Sequence, residues 1–142
     1  MNPSELTKKL QALAIKRDVL PGSIDDATLG AMLFDAAHTI PADRDVSERE
    51  ATEGLTAWLA GNGAMLRYDA VELRRQLVDW QFIERDGFGR AYRRAAEAPT
   101  RFAEVCAVAA TLDFNPLIAA ARERDAEARA ARKAAHSGRT TA

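Results

Sequence analysis

A chain of 142 residues with 47% hydrophobic and 29% charged residues has globular proportions and suffices for one core. Its formal net charge of −1 excludes a surface that is basic throughout, and no apolar run approaches the roughly 20 residues that span a bilayer. The first twenty residues hold scattered charges and no uninterrupted apolar segment of the export type, so a cytoplasmic protein is expected. Charge is unevenly distributed: residues 25–66 hold 2 basic and 8 acidic side chains, whereas residues 67–95 hold 7 basic and 5 acidic. That pattern suits one modestly positive edge on an acidic body.

In chain order, Leu6, Leu10 and Leu13 recur at helical spacing and predict an amphipathic helix from Pro3 to about Val19, stopped by "LPGS". Asp25 and Asp26 suit the start of a second helix, which should run until Pro41. Ser47 with Glu50 three residues on has the pattern of a capping box, predicting a third helix to Ala60 that ends at Gly61. Its core face is Ala51, Leu55, Trp58 and Leu59. Asp69 with Glu72 repeats the capping pattern for a fourth helix, Ala70 to Trp80. Ala70, Leu73, Leu77 and Trp80 share its inner face, and Glu72, Arg75, Gln76 and Asp79 its outer one.

"FIERDGFGRAYRR" reads as two short strands around a turn at Asp86-Gly87 or Phe88-Gly89. Pro99 should start a helix through "TRFAEVCAVAATL", with Phe102, Val105, Ala109 and Leu112 packing on the domain or on a second copy. The lone Cys106 in that run is expected as core filler. Asn115 and Pro116 mark a new helix, "LIAAARERDAEARAARKAAH", and "SGRTTA" reads as a disordered end. The order of elements predicts a mainly α fold: a winged helix-turn-helix with a small β-hairpin wing and extra N- and C-terminal helices. Residues 1–112 would form the domain, and 113–142 an Ala/Arg-rich helix and tail.

"YDAVELRRQLVDWQFIERDGFGRAYRR" carries Asp69, Leu73-Arg74-Arg75, Leu77-Val78-Asp79, Arg85, Gly89 and Tyr92 at a spacing that resembles the bacterial family catalogued as domain of unknown function 2087. "VSEREATEGL" resembles the family's preceding helix, so the likeness covers roughly Pro41 to Arg94. It implies a winged-helix-like fold and a transcription-related role, and brings no enzyme activity, cofactor or site residues. Two positions depart from the family's pattern: Thr52 stands in place of an asparagine, and Gln81 in place of a glycine before the wing.

Arg75 is the candidate on the fourth helix for a base edge, since guanidinium is the commonest reader of guanine. Glu72 and Asp79, one turn to either side, are expected to neutralise it. Arg74 lies nearer the core face, where a buried or half-buried pair with a carboxylate, tying helix to wing, is the expectation. Arg85, Arg90, Arg93 and Arg94, with Arg67 before the helix, gather near the glycine turn and are candidates for backbone phosphates. Phe88 and Tyr92 are expected to cover a core edge, and Trp58 and Trp80 to pack. His38 and His136 lack partners at metal-ligand spacing, and no serine elbow or phosphate-cradling loop is present, so neither enzyme activity nor a cofactor or metal is expected. The leading expectation is a regulator that binds duplex DNA without catalysis, as a homodimer. The alternative is a protein-interaction module of the same fold that uses Phe102, Leu117 or Ile118.

Overall fold

A computed structural model of the protein describes residues 1–140, with side chains through Gly138. Six α-helices account for most of it: α1 (Pro3–Ala14), α2 (Asp26–Ala37), α3 (Glu48–Ala60), α4 (Ala70–Asp79), α5 (Ala103–Ala109) and α6 (Phe114–Thr140). Three short strands, β1 (Val46–Ser47), β2 (Ile83–Arg85) and β3 (Ala91–Arg94), form an antiparallel sheet of order β1-β3-β2. Among the described residues no single helix is long and apolar enough to cross a membrane.

Helix starts follow the capping residues. Asp25 accepts the Thr28 N–H at 3.1 Å, Ser47 that of Glu50 at 3.1 Å, and Asp69 that of Glu72 at 2.8 Å. Ends follow burial instead. The first helix stops at Ala14, short of the expected Val19, because Leu13 and Ala14 are its last buried residues and nothing beyond supports another turn. Asp18 then takes a positive φ of 51°, and Val19 pairs with Leu66, receiving the Arg67 N–H at 2.8 Å. The second helix likewise ends at Ala37, before Pro41.

The expected hairpin has a third strand. Val46 lies opposite Tyr92 and Ser47 opposite Ala91, and Ser47 is also the N-cap of α3, so strand passes to helix with no linker. One buried cluster joins α1 to α6, including Phe114, Ile118 and Ala121 of the last helix. α5 packs on α2, where Gly30 leaves room for Phe102: a Cβ at Gly30 would lie 2.5 Å from its ring. The docking of this segment on the same chain buries Phe102, Val105 and Ala109; a 3-10 turn, Thr100–Phe102, precedes α5, which is shorter than the sequence suggests. Cys106 is a core residue, its thiol pushed up to about 11 by burial.

α6 is longer than expected. It begins at Phe114, with Pro116 in a first turn that needs no N–H there, and continues through Thr140. Ser137 to Thr140, expected to be disordered, are helical; Thr141 and Ala142 of the same expected tail lie outside the described residues.

Candidate nucleic-acid interface

α4 is seated by Leu73 and Leu77, both fully buried, and its end is built with care for the direction of the chain. The Gln81 N–H bonds the Val78 carbonyl at 3.0 Å and the Phe82 N–H that of Leu77 at 2.9 Å, the paired bonds of a Schellman cap. Such a cap requires the left-handed conformation, and Gln81 adopts it with φ of 67°. Phe82 then turns inward and stacks on Phe102 at 5.4 Å, while half-buried Trp80 lies 5.5 Å from the same ring. Arg101 covers Trp80 at 4.6 Å and pairs with Asp26 at 2.8 Å, fixing the helix end to α2.

Arg74 joins helices and sheet at one point. It is 9% exposed, donates to Thr52 Oγ1 at 2.7 Å, pairs with Glu48 at 3.1 Å and lies 5.4 Å above the Tyr92 ring. The arginine-to-carboxylate pair expected to tie helix to wing is formed instead with Glu48, so it ties α4 to α3, and only the Tyr92 contact reaches the sheet. Thr52, the departure from the family's asparagine, supplies the oxygen that Arg74 uses. Tyr68, just before the α4 cap, holds its hydroxyl buried without a hydrogen-bond partner among the described residues. Burial first, and then Glu72, pushes its phenol up to about 12.

The wing turn is organised by Asp86. Its Oδ1 accepts the Arg90 N–H at 2.8 Å and the Phe88 N–H at 3.2 Å, and the residue needing a positive φ is Gly89, at 68°. Chiefly the Arg90 N–H, opposed by slight desolvation and helped by other amides of the turn, holds the Asp86 carboxyl below the usual carboxylate range. Phe88, expected on a core edge, is 86% exposed at the tip, whereas Tyr92 is 2% exposed and does fill that role.

Strand register separates the candidate arginines. Ile83 faces Arg94, Glu84 faces Arg93 and Arg85 faces Tyr92. Arg93 therefore shares a sheet face with Glu84, and it also pairs with Asp45 at 3.0 Å, so its charge is answered within the protein. Arg94 is half-buried and lines a cavity of about 230 Å³ with Phe34, His38 and Phe82. Arg67, Arg75, Arg85 and Arg90 are exposed, and among the described residues none of the four forms an ion pair. The neutralisation of Arg75 by Glu72 or Asp79 is not formed. His38 bonds the Phe34 carbonyl at 2.7 Å, and among the described residues no three metal-capable side chains gather.

These features define a mainly helical domain whose small antiparallel sheet extends an exposed two-stranded arm. Residues 26–94, from the first residue of α2 to the last of β3, match the family model described as "Uncharacterized protein conserved in bacteria (DUF2087)". Over that segment, just under half of the chain, the protein is similar to this family. No curated protein and no solved structure matches the chain.

Proposed function

We propose that the protein is a cytoplasmic, transcription-related regulator that binds duplex DNA without catalysis through a winged helix-turn-helix made of α2, β1, α3, α4, β2 and β3. The carrying observation is the wing tip: Arg85 and Arg90, exposed and without an ion-pair partner among the described residues, flank an 86% exposed Phe88 on a turn preorganised by Asp86. Such a tip offers cations and an apolar ring to the sugar-phosphate edge of a groove. Arg75 adds an unpaired guanidinium on the outer face of α4, but Glu72 and Asp79 share that face. Affinity in this reading comes chiefly from the wing and only secondarily from base contacts. Homodimer formation on a two-fold operator belongs to the same reading.

The test is fluorescence anisotropy of a mixed-sequence duplex with Arg85→Gln/Arg90→Gln beside the native protein. Removing two phosphate contacts should flatten the log-log salt slope by about 2. Arg93→Gln should leave it unaltered, because that charge is already paired with Asp45. An unchanged slope in the wing variant would remove the wing from the interface.

A second reading, a protein-interaction module, is favoured by an open groove of about 770 Å³ between α3 and α4, floored by Ala57, Ala60 and 39% exposed Val71. Of the flanking residues expected to make such contact, Phe102 and Ile118 are 3% and 1% exposed, in the core, and Leu117 is half-buried against it. In this case Val71→Asp abolishes partner binding, and the wing variant has no effect.

A further inference from the structure

We infer that the cleft between the end of α1 and α6, with the helical arm that continues from it, is a second phosphate-binding track that grips the backbone of duplex DNA independently of the wing. α6 packs only through its first part. Arg122 ends the docked portion, giving Nε to the Ala14 carbonyl at 3.2 Å, Nη1 to that of Gly61 at 2.9 Å and Nη2 to that of Asn62 at 3.4 Å. From Ala126 to Gly138 every residue is exposed. Alanine-rich sequence keeps this stretch helical without packing, since alanine has the highest intrinsic helix propensity.

Past Glu127 the charges of this stretch are of one sign. Between Ala128 and Thr140 there are four lysines and arginines and no carboxylate. Arg129, Arg132 and Lys133 stand at i, i+3 and i+4, on one helix face, and Arg129 lies two turns beyond Arg122 on the face that docks. The basic face therefore continues the docked face outward. At its root is a cleft of about 500 Å³ whose lining includes Lys16, Arg17, Asp18, Arg122, Asp125 and Arg129. Asp125 is engaged by Arg129 at 2.8 Å, while among the described residues neither Lys16 nor Arg17 has an ion pair. Among the described residues Lys16, Arg17, Arg132 and Lys133 form no ion pair, so cleft and arm together present four uncompensated cations beside Asp18 and Glu127.

The arm has no apolar side chain larger than alanine beyond Ala126, so it offers nothing to bury in the core of a protein interface or in a lipid surface. Phosphate contact asks only for charge at a suitable spacing, and the small opposite face lets the helix lie close to a groove wall. This track does not depend on the wing reading.

The experiment uses the full chain and duplex DNA in anisotropy titrations between about 50 and about 200 mM salt. The track variant is Lys16→Gln/Arg17→Gln/Arg132→Gln/Lys133→Gln, in which all four sites are exposed and glutamine keeps helix propensity, as circular dichroism checks. It should bind more weakly and with a log-log salt slope smaller by about 3.6, whereas Arg85→Gln/Arg90→Gln retains that contribution. A wild-type slope in the track variant overturns the inference, as does native protein that binds no duplex even at the lowest salt. Polyglutamate that competes as well as DNA also overturns it, assigning the track to an acidic protein surface. If the track variant alone loses affinity, the wing reading falls and this one stands; if the wing variant alone does, the reverse holds.

Discussion

Replacing Gln81 by glycine should make the protein more stable, although it removes a side chain and adds none. Gln81 closes α4 with φ of 67° and is exposed, with no side-chain hydrogen bond among the described residues. An L-residue in this conformation costs about 1 to 2 kcal/mol relative to glycine. Glycine in turn widens the unfolded ensemble, which costs about 0.4 to 1 kcal/mol. The balance is a gain of about 0.5 to 1 kcal/mol, or about 2 to 4 °C in Tm for a chain of this size. Urea unfolding followed by circular dichroism should show a higher midpoint with an unchanged slope, because the surface exposed on unfolding is the same. Gln81→Ala is the control: it keeps the strain and should gain nothing, while Gln81→Asn should fall between. A glycine variant no more stable than the alanine one would refute the reasoning and with it the left-handed cap.

The junction of helices and sheet at Arg74 is a second place to look. Arg74→Ala should cost about 2 to 3 kcal/mol, from charge-assisted bonds to Glu48 and Thr52 and the contact with the Tyr92 ring, and Arg74→Lys should recover little of it because one ammonium cannot reproduce the planar fork. Equal stability of the lysine and native proteins in urea would show that the fork is dispensable. Tyr68→Phe removes a buried hydroxyl with no partner among the described residues, so it should be neutral or stabilising by up to about 1 kcal/mol, and a clear loss in the same assay would reveal a bond that this geometry lacks. For Asp86 the folded pKa lies below the ordinary 3.8, so its support of the wing turn is present above that value and is lost as pH falls through the lowered one. Protection of the Phe88 and Arg90 amides, taken relative to their intrinsic exchange rates, should fall in that acid range; Asp86→Ala should lack it at every pH, and a native profile without the acid step would dismiss the carboxylate as organiser of the turn.

What could be read from the sequence was local. The caps at Ser47 and Asp69 each lie within one turn of the amide they satisfy, and the helices they start were legible with nearly correct bounds. The β1 strand was not, because two residues show no alternation, and Val46 becomes a strand residue only when Tyr92 arrives beside it. The same distance problem hid the fate of the arginines. Arg93 is answered by Asp45, 48 residues earlier, and Arg74 by Thr52, 22 residues earlier, and neither partner has a fixed sequence spacing to announce it. Phe88 was misplaced because an aromatic in a hairpin usually packs, and only register shows that the turn carries it past the sheet. For α6 the helix and its sparse apolar stripe were legible, and the stripe agrees with the exposure of every residue from Ala126 to Gly138; its continuation through Thr140 was not legible, because serine and glycine there read as an end.

Ser47 is at once the last residue of β1 and the cap of α3. A residue inserted there would rotate every later position of α3 by about 100° and carry Ala51, Leu55 and Trp58 off the core. A deletion would do the same in the opposite sense. Relatives of different length must therefore take up the change elsewhere. The exposed turn at Asp86 to Arg90 is a place where added residues leave α3 and α4 in phase, whereas the stretch 61–69 is tied down by buried Gly63, Met65 and Leu66 and by the pairing of Leu66 with Val19.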